Sequence, residues 1–349
     1  MSCFMQAVIW NTWGPITESA EVVFNWQDST IGMLANWGII SYICTIFPAC
    51  YLMDMKGLRI SLLLCNFLLA LGSGLRCITS DPHWATWLMN IGAIINGIAG
   101  TVPYAGPSLL ASTWFPPNQR ATATAVSSAL NYFGVGMGYI IDLINMNDLE
   151  SDIMQMMYYE CVASCSLFLA TLIYFPSKPP TPPSKTASIQ RVEYRRALLD
   201  AARNRYLWML SLAYALPMGI YGVWGGTLMD IILQPLDITQ VYAACIISGM
   251  CLTGTIPLFY ELCSEVAYPV SEGVAGGFIT LFHGLFGFIF LLILLIPGIG
   301  ISWMNYTLLG SVGIGLIVLI LFPEHYTRTD IDIKVEDGVN HTEITKQIM

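Results

Sequence analysis

Ten runs of mainly apolar residues, most of them long enough to cross a bilayer as a helix, limit what this chain can fold into. Such a crossing needs about 20 residues. The runs are Met1–Ile16, Ile31–Met53, Ile60–Ile78, Trp84–Trp114, Arg120–Ile141, Met154–Phe175, Tyr206–Leu233, Val241–Cys263, Gly273–Ile296 and Trp303–Phe322. The first is about a third short of a span and reads as the end of a helix. It lacks a basic leader and passes directly into Trp10–Trp13, which does not fit a cleavable signal peptide. The chain is 55% hydrophobic and only 11% charged, more apolar surface than a soluble domain of 349 residues needs. The expected fold class is therefore an all-α polytopic membrane protein, a bundle of about ten spans whose immediate partner is the lipid bilayer.

One polar stretch interrupts the pattern. The segment 176–205 opens with Pro176, Pro179, Pro180, Pro182 and Pro183, which favour an extended spacer. It then carries Lys178, Lys185, Arg191, Arg195, Arg196, Arg203 and Arg205, half of the chain's 14 Lys and Arg. Basic loops stay on the cytoplasmic side. With this loop inside, Lys56, Arg59, Arg120, Arg328, Lys334 and Lys346 also fall inside, and only Arg76 lies outside. The outer loop Asp142–Asp152 then holds four acids and no base. Both termini are expected in the cytoplasm. The domains expected are a six-helix half over 1–175, the linker 176–205, a four-helix half over 206–322, and a polar, disordered cytoplasmic tail over 323–349. The sequons at Asn305 and Asn340 are expected to stay unmodified, one too near the membrane and the other in the tail.

Several constellations carry candidate chemistry. The turn Asp54-Met55-Lys56-Gly57-Leu58-Arg59 places an acid and two bases around a glycine suited to a tight turn. With Arg120 it could latch an inward face, and it also fits an ordinary positive-inside turn. Trp10, Asn11 and Trp13 can form an aromatic wall with one amide, suited to a flat or cationic solute. For Trp13 an interfacial belt fits equally well. Glu261 and Glu265, one helical turn apart, share a face with no base nearby in sequence. They suit either a charged gate or a proton site. Asn131 and Tyr132 precede the small-residue run Gly134–Gly138 and could face a cavity, as could Tyr221 and Trp224. His283, lying mid-span, could take a proton or simply bond to a neighbouring helix.

Other classes find little support. The cysteines lie almost wholly in apolar runs without metal-ligand spacing, so no metal or cofactor is expected. No nucleophile–base pairing or histidine pair suggests an enzyme. No basic surface interleaved with aromatics suggests nucleic-acid binding.

The stretches WNTWGPI, DMKGLR, GSGLRCI, STWFPPNQRATATA, LIYFPSKPPTPPS and IPLFYELCSEVAYPVSEG together resemble solute carrier family 49, the feline leukaemia virus subgroup C receptor-related transporters, and especially its renal-carcinoma-related branch. That resemblance implies a major facilitator fold of two six-helix halves around a central cavity. It implies proton-coupled export of pyridoxine (vitamin B6) from lysosomes, or carriage of choline and ethanolamine as in the receptor-related branch, with the plasma membrane as the alternative location. Trp10 then falls at a cavity position of the first helix and Asn131–Tyr132 at one of the fifth. Against the family pattern, part of helix one is missing, and the family's eighth and ninth helices are missing between Gln240 and Val241. A shortened form of this kind could instead be a non-transporting receptor or regulatory partner.

Overall fold

Inside hydrocarbon every backbone amide must find an internal partner, so apolar runs of this length fold as helices. The computed structural model describes residues 1–141, 148–181, 183, 193–226, 238–294, 296, 299–300, 303–323 and 328–329. Twelve α-helices and no strand occur among the described residues. They are α1 (Ser2–Trp10), α2 (Thr17–Phe24), α3 (Asp28–Lys56), α4 (Leu58–Arg76), α5 (Pro82–Trp114), α6 (Arg120–Ile141), α7 (Leu149–Ile173), α8 (Tyr194–Arg203), α9 (Arg205–Gly226), α10 (Ile238–Ala267), α11 (Glu272–Leu294) and α12 (Trp303–Ile320). Residues 142–147 of the acidic loop, 184–192 of the linker and 330–349 of the tail, with its Asn340 sequon, lie outside the described residues.

Among the described residues, seven helices are long and apolar enough to cross a membrane: α3, α4, α5, α7, α9, α11 and α12. The helices α6 and α10 occupy two further runs. α6 is rich in Ala, Thr, Ser and Gly, and α10 carries Glu261 and Glu265. A helix that faces other helices needs less apolar surface than one that faces lipid. The first run does not end at Ile16. After a turn at 11–16 the chain forms α2, whose Phe24 enters the core. The linker also differs from a plain extended spacer. Its last part folds as α8, with Ala197 and Ala201 buried on one face while Arg195, Arg196 and Arg203 belong to the same helix.

The chain forms two compact units, one of 1–106 with 126–177, the other of 107–125 with 178–349. In the first, α4 packs on α7 and both meet α1. Asn66 Nδ2 on α4 donates to Thr171 Oγ1 on α7 at 2.8 Å, a polar tie between the two helices away from water. The core gathers Trp13, Phe24 and Trp26 with Met89, Ile153 and Met157. Gly57, at φ +86°, is the whole connection between α3 and α4. A side chain would be strained there.

In the second unit α9 packs against both α11 and α12. Small residues set the spacing, as expected where helices associate in lipid. A Cβ on Gly219 would lie 2.7 Å from the His283 carbonyl oxygen, and one on Gly315 would lie 2.8 Å from that of Ala213. Asn204 starts α9. Its Oδ1 accepts from the amides of Tyr206 and Leu207 at 3.0 and 3.2 Å, and its Nδ2 donates to Val266 O at 2.8 Å. One side chain thus caps α9 and ties it to the end of α10.

Candidate functional site

The first unit gathers aromatic and amide groups around α1. Trp10, its last residue, is half-buried and packs close to α3, where a Cβ on Gly38 would fall 2.5 Å from the indole. Asn11 turns back on its own helix, its Nδ2 donating to Ala7 O at 2.8 Å. It therefore caps the broken helix end rather than presenting a free amide. Asn131 on α6 donates to Cys3 O at 3.1 Å and hydrogen-bonds the Tyr104 hydroxyl on α5. The Tyr104 ring meets Tyr42 of α3 edge-on at 5.8 Å. Tyr132, next along α6, is exposed at 36%.

Gln6 completes this cluster and is a residue that sequence reasoning missed. It is wholly buried on α1, one turn before Trp10, and neither atom of its amide has a hydrogen-bond partner among the described residues. Gly100 on α5 makes room for it, since a Cβ there would lie 2.9 Å from Gln6 Nε2. A buried amide without partners costs free energy unless something else satisfies it.

Trp13 is not part of an open wall. Its ring packs on Trp26 at 5.2 Å and Phe24 at 6.4 Å, and the Arg76 guanidinium sits 5.8 Å from it. Arg76 and Glu160 form a second missed constellation. Both are buried, and Arg76 Nη1 lies 3.5 Å from Glu160 Oε2. The same nitrogen donates to Ile9 O at 3.3 Å, while Thr12 Oγ1 donates to Glu160 Oε1 at 2.6 Å. The end of α4 and the middle of α7 are joined this way at the point where α1 breaks. The available signals were thin. Arg76 is the one base on the wrong side of the charge count, and Glu160 is the one acid in its apolar run.

The charged turn of the first unit is more helical than its sequence implies. Asp54 and Lys56 lie in the last turns of α3 and Arg59 in the first turn of α4, with Gly57 between. Asp54 lies within electrostatic reach of Cys50, and Lys56 is exposed.

In the second unit, Glu261 and Glu265 are not the unpartnered pair that their sequence surroundings suggest. Glu261 Oε1 accepts from Thr124 Oγ1 at 3.5 Å, and Arg328 and Arg120 act on it electrostatically, with Glu265 opposing them. Glu265 accepts from both the amide and the hydroxyl of Thr329, each at 3.0 Å. Buried Arg328 Nη2 lies 3.4 Å from Glu272 Oε1. The missing bases come from the start of α6 and from beyond α12. Residues 328–329 of the tail are thus docked, contrary to the expectation of a wholly disordered tail.

The remaining candidates of this unit pack within it. Tyr221 stacks on Trp224 at 6.2 Å, and Trp224 Nε1 donates to Asn305 Oδ1 at 2.7 Å, which engages the amide of the Asn305 sequon. Trp224 also packs against the Ile220, Phe290 and Met304 cluster. His283 hydrogen-bonds the backbone of Met218 and meets the Tyr214 ring at 6.1 Å. It joins α11 to α9 and is separate from the carboxylate cluster. This is the packing alternative for a lone intramembrane histidine.

Comparison with known proteins places this architecture. Residues 1–323 match the Major Facilitator Superfamily. A Solute carrier family 49 member 4 homolog of Xenopus tropicalis is 32% identical over 95% of this chain and 91% of its own length. A choline/ethanolamine transporter of Felis catus is 24% identical over 82% of this chain and 64% of its own. Among solved structures, an Escherichia coli fucose:proton symporter superposes with a TM-score of 0.64 at 13% identity, covering 93% of this chain and 98% of that one. A proton:xylose symporter gives 0.63 at 13%, covering 91% and 93%. These two likenesses concern the fold alone. The alignment with the Xenopus tropicalis relative runs over 418 positions, whereas 95% of 349 residues supplies about 332, so about 86 positions of that relative have no counterpart here. The apolar helices, the superfamily match over nearly the whole chain and the close relatives together make this a multi-pass integral membrane transporter, not an enzyme, and the chain belongs to solute carrier family 49 of the Major Facilitator Superfamily.

Proposed function

We propose that this chain carries a small, flat or cationic organic solute, with proton-coupled export of pyridoxine from lysosomes as the first candidate. The observation that supports it most is the relation to solute carrier family 49, combined with the aromatic and amide cluster around α1. Trp10 and Tyr132 offer ring faces, Asn131 a polar contact, and Gln6 a buried amide in need of a partner. An aromatic ring carrying hydroxyl groups would stack on the first and bond to the others. In the second unit Tyr221 and Trp224 contribute a further stacked pair. The charged groups have a separate role: Asp54, Lys56 and Arg59 around the Gly57 turn, and Arg120, Glu261 and Glu265 in the second unit, act as gating groups whose pairing changes as the carrier cycles. With the linker and tail on the cytoplasmic side, both charged clusters face the cytoplasm.

A second reading is favoured by the choline/ethanolamine transporters among the relatives. Aromatic faces suit a quaternary ammonium as well as a pyridine ring. The positions without a counterpart favour a third, a shortened form that regulates a longer relative without transporting.

Uptake of labelled pyridoxine and labelled choline, at acidic and neutral external pH, separates these readings. The cells would display this chain, or a version with the absent segment restored, at their surface. Acid-stimulated pyridoxine uptake by both forms supports the first reading. Choline uptake without pyridoxine uptake replaces it with the second. Uptake by the restored form alone, with this chain co-purifying with a longer relative, supports the third.

A further inference from the structure

The segment just beyond α12 is held by one residue pair in a way that a single covalent change would undo. Thr329 uses both of its donors on one carboxylate, the amide bonding Glu265 Oε2 and the hydroxyl bonding Glu265 Oε1, each at 3.0 Å. The preceding Arg328 is 2% exposed and ion-pairs with Glu272, which opens α11. Residues 328–329 therefore clip the end of α10 to the start of α11. Thr329 itself is exposed. In the sequence it is followed by Asp330 and Asp332, at the first and third positions after it.

We propose that Thr329 is a phosphorylation site for an acidophilic serine/threonine protein kinase, and that phosphorylation releases the Arg328–Thr329 clip. A kinase whose basic pocket reads acids one and three residues after the hydroxyl finds them here. The Thr329 oxygen bonds to the γ-phosphorus of ATP, the bond from that phosphorus to the β-phosphate bridging oxygen breaks, and ADP leaves. The hydroxyl proton passes to the kinase's base. The product cannot occupy its former place. It has lost the hydroxyl donor, and it sets roughly two negative charges against the Glu265 carboxylate. Arg328 is drawn away from Glu272 in the same movement, so the Glu261, Glu265 and Glu272 cluster loses its base from the tail. Docking and modification exclude each other, because the kinase needs the hydroxyl that Glu265 holds.

The inference rests on the cytoplasmic placement of the tail given under Proposed function, and its test needs no solute. Purified full-length chain is incubated with ATP and an acidophilic kinase. Phosphate is located by mass spectrometry, and amide exchange is followed across the peptide containing 328–329. The expected result is phosphate on Thr329, none in Thr329→Ala, and modification about tenfold faster in Glu265→Ala, the factor set by one net charge-assisted hydrogen bond. Exchange in the phosphorylated chain should match that of unmodified Glu265→Ala. Three results would each overturn the proposal. One is absence of phosphate on Thr329 even in Glu265→Ala. Another is phosphorylated protein whose 328–329 segment exchanges as slowly as before. The third is an epitope placed after Met349 that antibodies reach on intact cells. A chain that takes up phosphate but no pyridoxine keeps this inference and removes the transport reading.

Discussion

Arg76 on α4 and Glu160 on α7 meet at 3.5 Å inside the first unit, with 2% and 5% of their side chains exposed. Thr12 and the Ile9 carbonyl join them from the broken end of α1. Two charges in such a place stabilise each other only while both are present. Removing one leaves the other buried without its counter-charge, a loss of about 3–5 kcal/mol. Arg76→Met and Glu160→Leu are each expected to lower the thermal unfolding midpoint of purified protein sharply, while the double variant recovers much of the loss. A double variant as unstable as the sum of the single ones would show that the two side chains act independently.

The glycine run of α6 can be separated residue by residue. A Cβ on Gly134 would collide with the Phe4 carbonyl oxygen of α1, whereas one on Gly136 would meet nothing within 4 Å. Gly134→Ala must therefore push two helices apart, at about 1–3 kcal/mol. Gly136→Ala places a better helix former at an open position and should leave stability unchanged or raise it by up to about 1 kcal/mol. Midpoints for the two variants, measured side by side, check this. Equal losses would mean that the whole run acts as one flexible segment and that Gly134 has no special contact.

These two constellations show what was legible in the chain and what was not. The helices follow from apolar length, and the turn at Gly57 from a glycine between charged residues, because both signals are local. Glu160 and Arg76 belong to different runs, and neither has a charged partner within its own, so nothing local pairs them. The same holds for Glu265 and Glu272, whose partners Thr329 and Arg328 lie beyond another helix. Helix α8 was hidden by a basic composition that resembles a solvated spacer, although Ala197 and Ala201 sit one turn apart. Gln6 is a lone amide among apolar neighbours in the first run, which in sequence marks nothing. Only the packing of α5, with Gly100 against its amide, shows that the polar group is enclosed.

Gln6 separates stability from function. With no partner for either amide atom among the described residues, its replacement by an apolar chain of similar size removes a desolvated polar group without breaking a hydrogen bond. Gln6→Met should keep or raise the unfolding midpoint, by about 1 kcal/mol in equivalent stability. If the amide meets the solute, the same variant raises KM for uptake about tenfold or more, the loss of one buried hydrogen bond with a group left unpaired. This opposition between stability and transport is the diagnostic outcome. A variant that loses stability and transport together would assign Gln6 to the core.

Glu261 and His283 give opposite expectations for pH dependence. Glu261 lies among Arg120, Arg328, Glu265 and the Thr124 hydroxyl, where gain or loss of one proton changes the balance of a charged cluster. His283 is bonded to the backbone of Met218 beside the Tyr214 ring. A proton taken up there would have no carboxylate among the described residues close by to stabilise it. Glu261→Gln keeps the shape and removes the charge, and should flatten the rise of uptake between neutral and acidic external pH. His283→Gln should change the rate by no more than about threefold, the effect of a modest loss in packing, and leave the slope of the pH profile intact. Initial rates of labelled solute uptake across that range, with surface expression held equal, decide between them. A pH profile preserved in Glu261→Gln and lost in His283→Gln would move the proton site from the α10 cluster to the α9–α11 crossing.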